Sequence, residues 1–239
     1  MKAYQLKVEL LGSEPIIWRR VILPAGATYN NLHRTIQYLT NFQSGIFDCH
    51  LYEFNLPEDN MKVTNDEEAY ESHQYYKKNK KLVEKRLKGV ENQYAEKQLK
   101  DLQIIIRKPS TLKIDKYLET YKSLQYTYDF GDCWQFKIIL ENIVDDYYFG
   151  YPTLITGAET APPEDVEGLS GFYEFREVYQ DKSHPEHESY KTWADSQYYC
   201  EYDEDRINKF LMFVKYQKTE WNNINHKNHV IIDDKYRKA

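Results

Sequence analysis

The sequence predicts an α+β fold: a mixed or antiparallel sheet of about five strands with helices packed on it, plus an inserted helical arm. Three observations point there. Apolar and polar residues alternate with period two in several separated stretches. Strand patterns precede helix patterns instead of alternating regularly with them. A proline-free stretch dense in Lys, Glu and Gln, between Asp66 and Asp101, interrupts the strand-rich sequence.

Tyr4, Leu6, Val8 and Leu10 alternate with Gln5, Lys7 and Glu9, which reads as a half-buried strand. Gly12-Ser-Glu-Pro15 is a turn, and Ile16 to Leu23 is a second strand, so the two form a hairpin. Pro24-Ala-Gly-Ala27 ends it. Thr28 caps a helix in which Tyr29, Leu32, Ile36 and Leu39 share a face. Cys49 to Phe54 reads as a third strand. Tyr76, Val83, Leu87, Val90 and Tyr94 then form a narrow apolar seam on a long helix interrupted at Gly89, the basis for the arm. Leu102 to Arg107 is a short strand stopped by Pro109.

The core pattern resumes with Leu124, Tyr126, Tyr128 and Phe130, followed by Trp134, Phe136, Ile138 and Leu140. These two strands are joined at Asp129-Phe-Gly-Asp132, where Gly131 is expected to supply a positive φ. Pro152 to Asp165 reads as an extended, proline-marked loop, Phe172 to Tyr179 as a helix, and Asp203 as the cap of a last helix bearing Ile207, Phe210, Leu211 and Val214. The expected organisation is a core of residues 1–56 and 123–214, an arm of 57–122 and a C-terminal extension of 215–239.

Composition narrows the function classes. The net charge of −6 disfavours long-range attraction to nucleic acid or an anionic membrane. No stretch approaches the roughly 20 apolar residues of a membrane span, and the N-terminus has no signal-peptide core. Cys49, Cys133 and Cys200 are odd in number and lack metal-ligand spacing, so a reduced, cytoplasmic protein is expected. The 23 tyrosines suit thin cores and wet interfaces.

Two acidic signatures stand out: Tyr126-Thr-Tyr-Asp-Phe-Gly-Asp-Cys-Trp134 and Ala161-Pro-Pro-Glu-Asp-Val-Glu-Gly168. With Pro15-Ile-Ile-Trp-Arg-Arg20, Leu32-His33, His50-Leu-Tyr-Glu-Phe54 and Trp193, their order resembles the plasmid pRiA4b ORF-3-like family, over about Tyr4 to Val214 with the arm skipped. The resemblance implies an α+β domain found on plasmids, mobile elements and bacterial chromosomes, with no established activity. Relatives include insertion-sequence passenger proteins with a resolvase-like name, but no recombinase constellation is legible here. Three departures matter. Phe136 replaces a histidine usual after the motif tryptophan, Glu167 replaces a glycine, and a tryptophan usual before His50 is missing, with Phe47 nearby.

Asp129, Asp132, Glu164 and Asp165 are the candidate catalytic and metal-ligating carboxylates, with His50 as a further catalytic candidate. Grouped together they would repel unless a cation or proton were shared, and oxygen-rich sites suit Mg²⁺, Mn²⁺ or Ca²⁺. The plain alternative is that each carboxylate accepts turn or helix-end amides. Arg19, Arg20, His33 and Trp134 are candidate binding residues. Arg19 and Arg20 lie on opposite faces of one strand, one exposed and the other expected to pair with the acidic loops. Lys77 and Lys81 belong to the one basic run, Lys77 to Lys88, which offers phosphate contacts or simply a solvated helix face. His226 and His229 read as a polar terminus.

No nucleophile–base pair, phosphate loop, zinc signature or nucleotide-cofactor motif is legible, so no nucleotide cofactor is expected. The sequence favours a non-enzymatic interaction module with a protein or nucleic-acid partner. The alternative is a divalent-cation-dependent hydrolase or nuclease built on the two acidic motifs. The two readings separate in space: carboxylates that converge with His33 or His50 favour the hydrolase, and carboxylates engaged by amides and arginines favour the module.

Overall fold

The computed structural model describes residues 1–42, 50–87, 93–219 and 233–237. Cys49, Phe47, Gly89, Val90, Lys88, His226 and His229 lie outside the described residues. The first hairpin forms as its alternation requires: β1 (Ala3–Leu10) pairs antiparallel with β2 (Trp18–Pro24). The turn exit leads to Thr28, whose hydroxyl accepts the Asn31 amide of α1 (Tyr29–Leu39) while Asn31 reaches back to Thr28. Tyr29, Leu32, Ile36 and Leu39 are all fully buried on one face of α1.

Beyond α1 come β3 (Tyr52–Leu56) and β4 (Met61–Thr64), then the arm helices α2 (Glu67–Leu87) and α3 (Gln93–Asp101). β5 (Ile105–Arg107), α4 (Asp115–Tyr121), β6 (Ser123–Tyr128), β7 (Trp134–Val144) and β8 (Thr153–Ala158) follow. The chain continues through α5 (Gly168–Gln180), α6 (His187–Ser196) and α7 (Glu204–Leu211).

The sheet is mixed, with strand order β5-β4-β3-β6-β7-β1-β2-β8 and one parallel pair, β4–β5. Among the described residues it therefore has eight strands instead of about five. β4 is too short for alternation to be visible, and Pro152 made β8 read as loop. β8 tolerates that proline because it begins just after it, at the sheet edge. β4, β5 and the buried Ile114 and Leu118 all fall within residues 57–122, and they belong to the sheet and core.

Two apolar layers follow from strand alternation. One sheet face carries Tyr4, Leu6, Val8, Tyr126 and Tyr128 into the main core under α1, α5 and α7. The opposite face carries Ala3, Ile22 and Ile155 into a smaller cluster with Tyr147, Phe149 and Tyr151. In the arm, Asn79 departs from helical geometry and its amide donates to the Tyr75 carbonyl at 2.9 Å, kinking α2. Val83 is buried as the seam requires, but Tyr94 is 86% exposed and Ala95 faces inward instead. The seam, read on a long helix interrupted at Gly89, therefore holds at Val83 and not at Tyr94.

Candidate functional site

Strand pairing assembles the site. Tyr52 of β3 faces Tyr128 of β6, so His50, just before β3, lies beside Asp129, just after β6. The Asp129 amide donates to the Leu51 carbonyl at 2.9 Å and closes this corner. Asp129 then turns the chain with φ 52°, and Cys133 does so again with φ 57°. These two residues, not Gly131, hold the left-handed backbone. Aspartate tolerates that region because its side chain bonds locally: Asp129 Oδ1 accepts the Gly131 amide at 2.9 Å. The turn ends strand alternation at Tyr128 and sends Phe130 outward, 46% exposed.

Asp129 Oδ2 is thereby left towards His50 Nδ1, at 3.5 Å. On the other edge of the imidazole, His50 Nε2 lies 3.6 Å from Glu164 Oε1 and 3.5 Å from Asp165 Oδ1. Ala161-Pro-Pro-Glu164 is buried, and the Asn41 side chain after α1 donates to the Ala161 carbonyl at 2.8 Å, fixing the loop. Asp129 and Glu164 are 8% and 3% exposed, whereas the Asp165 side chain is 60% exposed. The cluster is therefore closed on one side and open at Asp165. Ligand atoms of His50, Asp129 and Glu164 all fall within 4.8 Å of one another, the one such grouping of metal-ligating side chains among the described residues.

Asp132 has a different environment. Burial chiefly raises its pKa, with Asp129 and Asp165 adding repulsion, while the amides of Gly168 and Val166 oppose the shift. It therefore sits at the start of α5. Gly168 has φ 72°, and a Cβ there would lie 3.1 Å from the Asp132 carbonyl oxygen, so the close approach needs glycine.

The remaining candidates separate from this centre. His33 is buried, stacks on Tyr52 at 3.7 Å and meets the Tyr126 hydroxyl through Nδ1 at 2.7 Å. Burial, helped by Arg34, pushes its pKa down to about 3, so the ring is neutral. Arg19 and Arg20 do occupy opposite faces, but the expected pairing with the acidic carboxylates is replaced by other partners. Arg19 is buried and donates to the carbonyls of Leu39, Trp18, Ala158 and Glu159, with Tyr202 over its guanidinium, and burial lowers its pKa to about 10. Arg20 forks onto Glu141 at 2.5 and 2.9 Å. Trp134 is a core residue, 5.5 Å from Phe42, and Phe136 packs beside it against Phe42 and Tyr126. Lys77 and Lys81 are exposed on α2.

Sequence reasoning missed Tyr128 as a site residue. It is fully buried, and its hydroxyl donates to Glu164 Oε1 at 2.8 Å. The available signal was the alternation that turns it inward, since a buried tyrosine hydroxyl needs a partner.

Comparison with known proteins places these residues in a wider setting. The family model described as Plasmid pRiA4b ORF-3-like protein matches residues 2–209. The uncharacterized protein y4hQ of Sinorhizobium fredii is 28% identical over 195 residues, covering 82% of each chain. The crystal structure of the protein of unknown function MM3350 from Methanosarcina mazei Go1 superposes with a TM-score of 0.59 at 28% identity, over 85% of this chain and 96% of that one. The chain belongs to the plasmid pRiA4b ORF-3-like family.

Proposed function

We propose that this member of the plasmid pRiA4b ORF-3-like family is a divalent-cation-dependent hydrolase centred on His50, Asp129 and Glu164. The observation that carries the reading is their convergence: ligand atoms of all three within 4.8 Å, with both carboxylates buried. Two buried carboxylates on one imidazole are costly without a shared cation or proton. Of the two functions that the sequence left open, this arrangement supports the hydrolase over the interaction module.

The donor set also bears on the metal. One imidazole nitrogen with two carboxylates suits Zn²⁺, Mn²⁺, Fe²⁺ or Co²⁺ better than Mg²⁺ or Ca²⁺, which prefer oxygen throughout. Such an ion supplies Lewis-acid polarisation and acidifies water. His50, Asp129 and Glu164 would hold it. Asp165, exposed and 3.5 Å from His50 Nε2, stands where solvent enters and is suited to accept a proton from the attacking water.

The test is thermal unfolding with Zn²⁺, Mn²⁺, Mg²⁺ and Ca²⁺ titrated separately, followed by hydrolysis assays on chromogenic ester and phosphodiester substrates. A saturable stabilisation by Zn²⁺ or Mn²⁺ is expected, about 2.7 kcal/mol at a hundredfold excess over Kd. It should vanish in Asp129→Asn and Glu164→Gln. No saturable shift up to millimolar metal would sink the cation reading. Metal binding without hydrolysis of either substrate type would remove the hydrolase half.

A further inference from the structure

We infer that Tyr128 is the positioning residue of this centre, acting through Glu164 and His50 instead of ligating a metal itself. The inference rests on the cation reading above and extends it to the residue that holds the ligands in place.

The geometry is specific. The Tyr128 hydroxyl donates to Glu164 Oε1 at 2.8 Å, and that same oxygen lies 3.6 Å from His50 Nε2. The Tyr128 ring stands edge-to-face against the His50 ring, at 5.7 Å and 79°. Asp129 is its chain neighbour and leaves β6 directly from it. One fully buried side chain therefore bonds one proposed ligand and packs against the second, while the third follows it directly in the chain.

The ring is itself held. Phe42 packs on Tyr128 at 4.9 Å, and Tyr126 lies stacked beside it at 6.4 Å. On β6 it is registered between Tyr52 of β3 and Trp134 of β7. These contacts leave the ring little rotational freedom, so the hydroxyl meets Glu164 in a fixed direction. A hydrogen bond to a ligating carboxylate orients it and tunes its affinity, and losing such a bond typically costs 10- to 100-fold in metal affinity. Tyr128→Phe removes the hydroxyl and keeps the ring, which isolates this role from packing.

The experiment uses the full chain and Co²⁺ as a spectroscopic probe, with Zn²⁺ competition to give affinities. Three proteins are compared: the unaltered chain, Tyr128→Phe, and Phe42→Leu, which loosens packing on the ring but leaves the hydroxyl. Tyr128→Phe is expected to bind about 10- to 100-fold more weakly and to change the visible Co²⁺ absorption. Phe42→Leu is expected to lose thermal stability yet bind within about threefold of the unaltered chain. Equal affinity and an unchanged spectrum in Tyr128→Phe would overturn the positioning role while leaving the cation site standing. Equal weakening in both variants would overturn it too, by making the effect one of packing. Failure of the unaltered chain to bind Co²⁺ or Zn²⁺ would bring down the cation reading and this inference together, and it is visible before any variant is made.

Discussion

His33 and His50 flank one tyrosine and live in opposite worlds. The His33 ring lies 6.1 Å from the Tyr128 ring and the His50 ring 5.7 Å from it. Around His33 the ring meets the neutral Tyr52 and Tyr126, and burial, with Arg34 adding a cation's repulsion, keeps the imidazole uncharged. Around His50 both ring edges meet carboxylates. The difference teaches that burial alone does not make a histidine functional. The sign and number of nearby charges decide whether the ring is packing or a candidate ligand.

The largest expected effect comes from the His33 side. Its folded pKa of about 3 lies below the ordinary value of 6.5, so the unfolded chain binds more protons between those two values. Stability from this residue is therefore complete above about pH 6.5 and is lost as pH falls towards 3. By pH 4 the loss amounts to about 3 kcal/mol. Urea unfolding at pH 7, 5.5 and 4, compared between the unaltered chain and His33→Gln, isolates this contribution. The variant should be less stable at pH 7, and the gap should narrow steadily with acid. A gap that stays constant would show that His33 titrates alike in the folded and unfolded chain and would erase the contrast with His50.

A second comparison sets the core against the arm. The charges of α2 point into water: Lys80 meets Glu84 at 3.9 Å with both side chains about half exposed, a pair of little energetic consequence. Among the described residues, Lys108 ties the arm to the remainder through Glu67 and Tyr70, and Val83 and Ala95 are the buried residues of α2 and α3. Replacing Asp66 to Asp101 with a short flexible linker should therefore change core stability by about 1 kcal/mol or less, while β4, β5 and α4 remain in place. Calorimetry that found a lost or non-cooperative transition would make the arm part of the core.

These contrasts also mark what the sequence could reveal. The first hairpin, the Thr28 and Asp203 caps, the inward faces of β1, β6 and β7, and the acidic motifs were all legible, because each is written in local period or local chemistry. Convergence was not. His50 meets Glu164 only because β3 pairs with β6 and the Pro162-Pro163 loop folds back over that corner, and both are long-range events. β4 carried too few residues to show a period, and Pro152 disguised β8. Tyr128 was hidden by being read as an ordinary strand residue, and the arm seam held at Val83 but not at Tyr94, which faces water.

The smallest expected effect sharpens the site from its backbone. Asp129, Cys133, Asp165 and Glu167 all adopt positive φ around the cluster, and such strain persists where surrounding structure enforces it. Glu167 differs from Asp129 in having no visible return for its strain. It has φ 63° and ψ 39°, makes no side-chain capping bond at the start of α5, and is exposed. It also occupies the position where the resembled motif carries glycine. Left-handed backbone costs a residue with a Cβ roughly 1–2 kcal/mol, whereas glycine gives back about 0.4–1 kcal/mol through its freer unfolded chain. Glu167→Gly should therefore stabilise the protein by about 0.5–1 kcal/mol, a rise of roughly 1–4 °C in Tm for a chain of this size. Glu167→Ala keeps the Cβ and should gain nothing, which separates backbone relief from loss of a surface charge. Differential scanning calorimetry on both variants decides it: a glycine variant no more stable than the alanine one would mean that the left-handed turn before α5 is not strained.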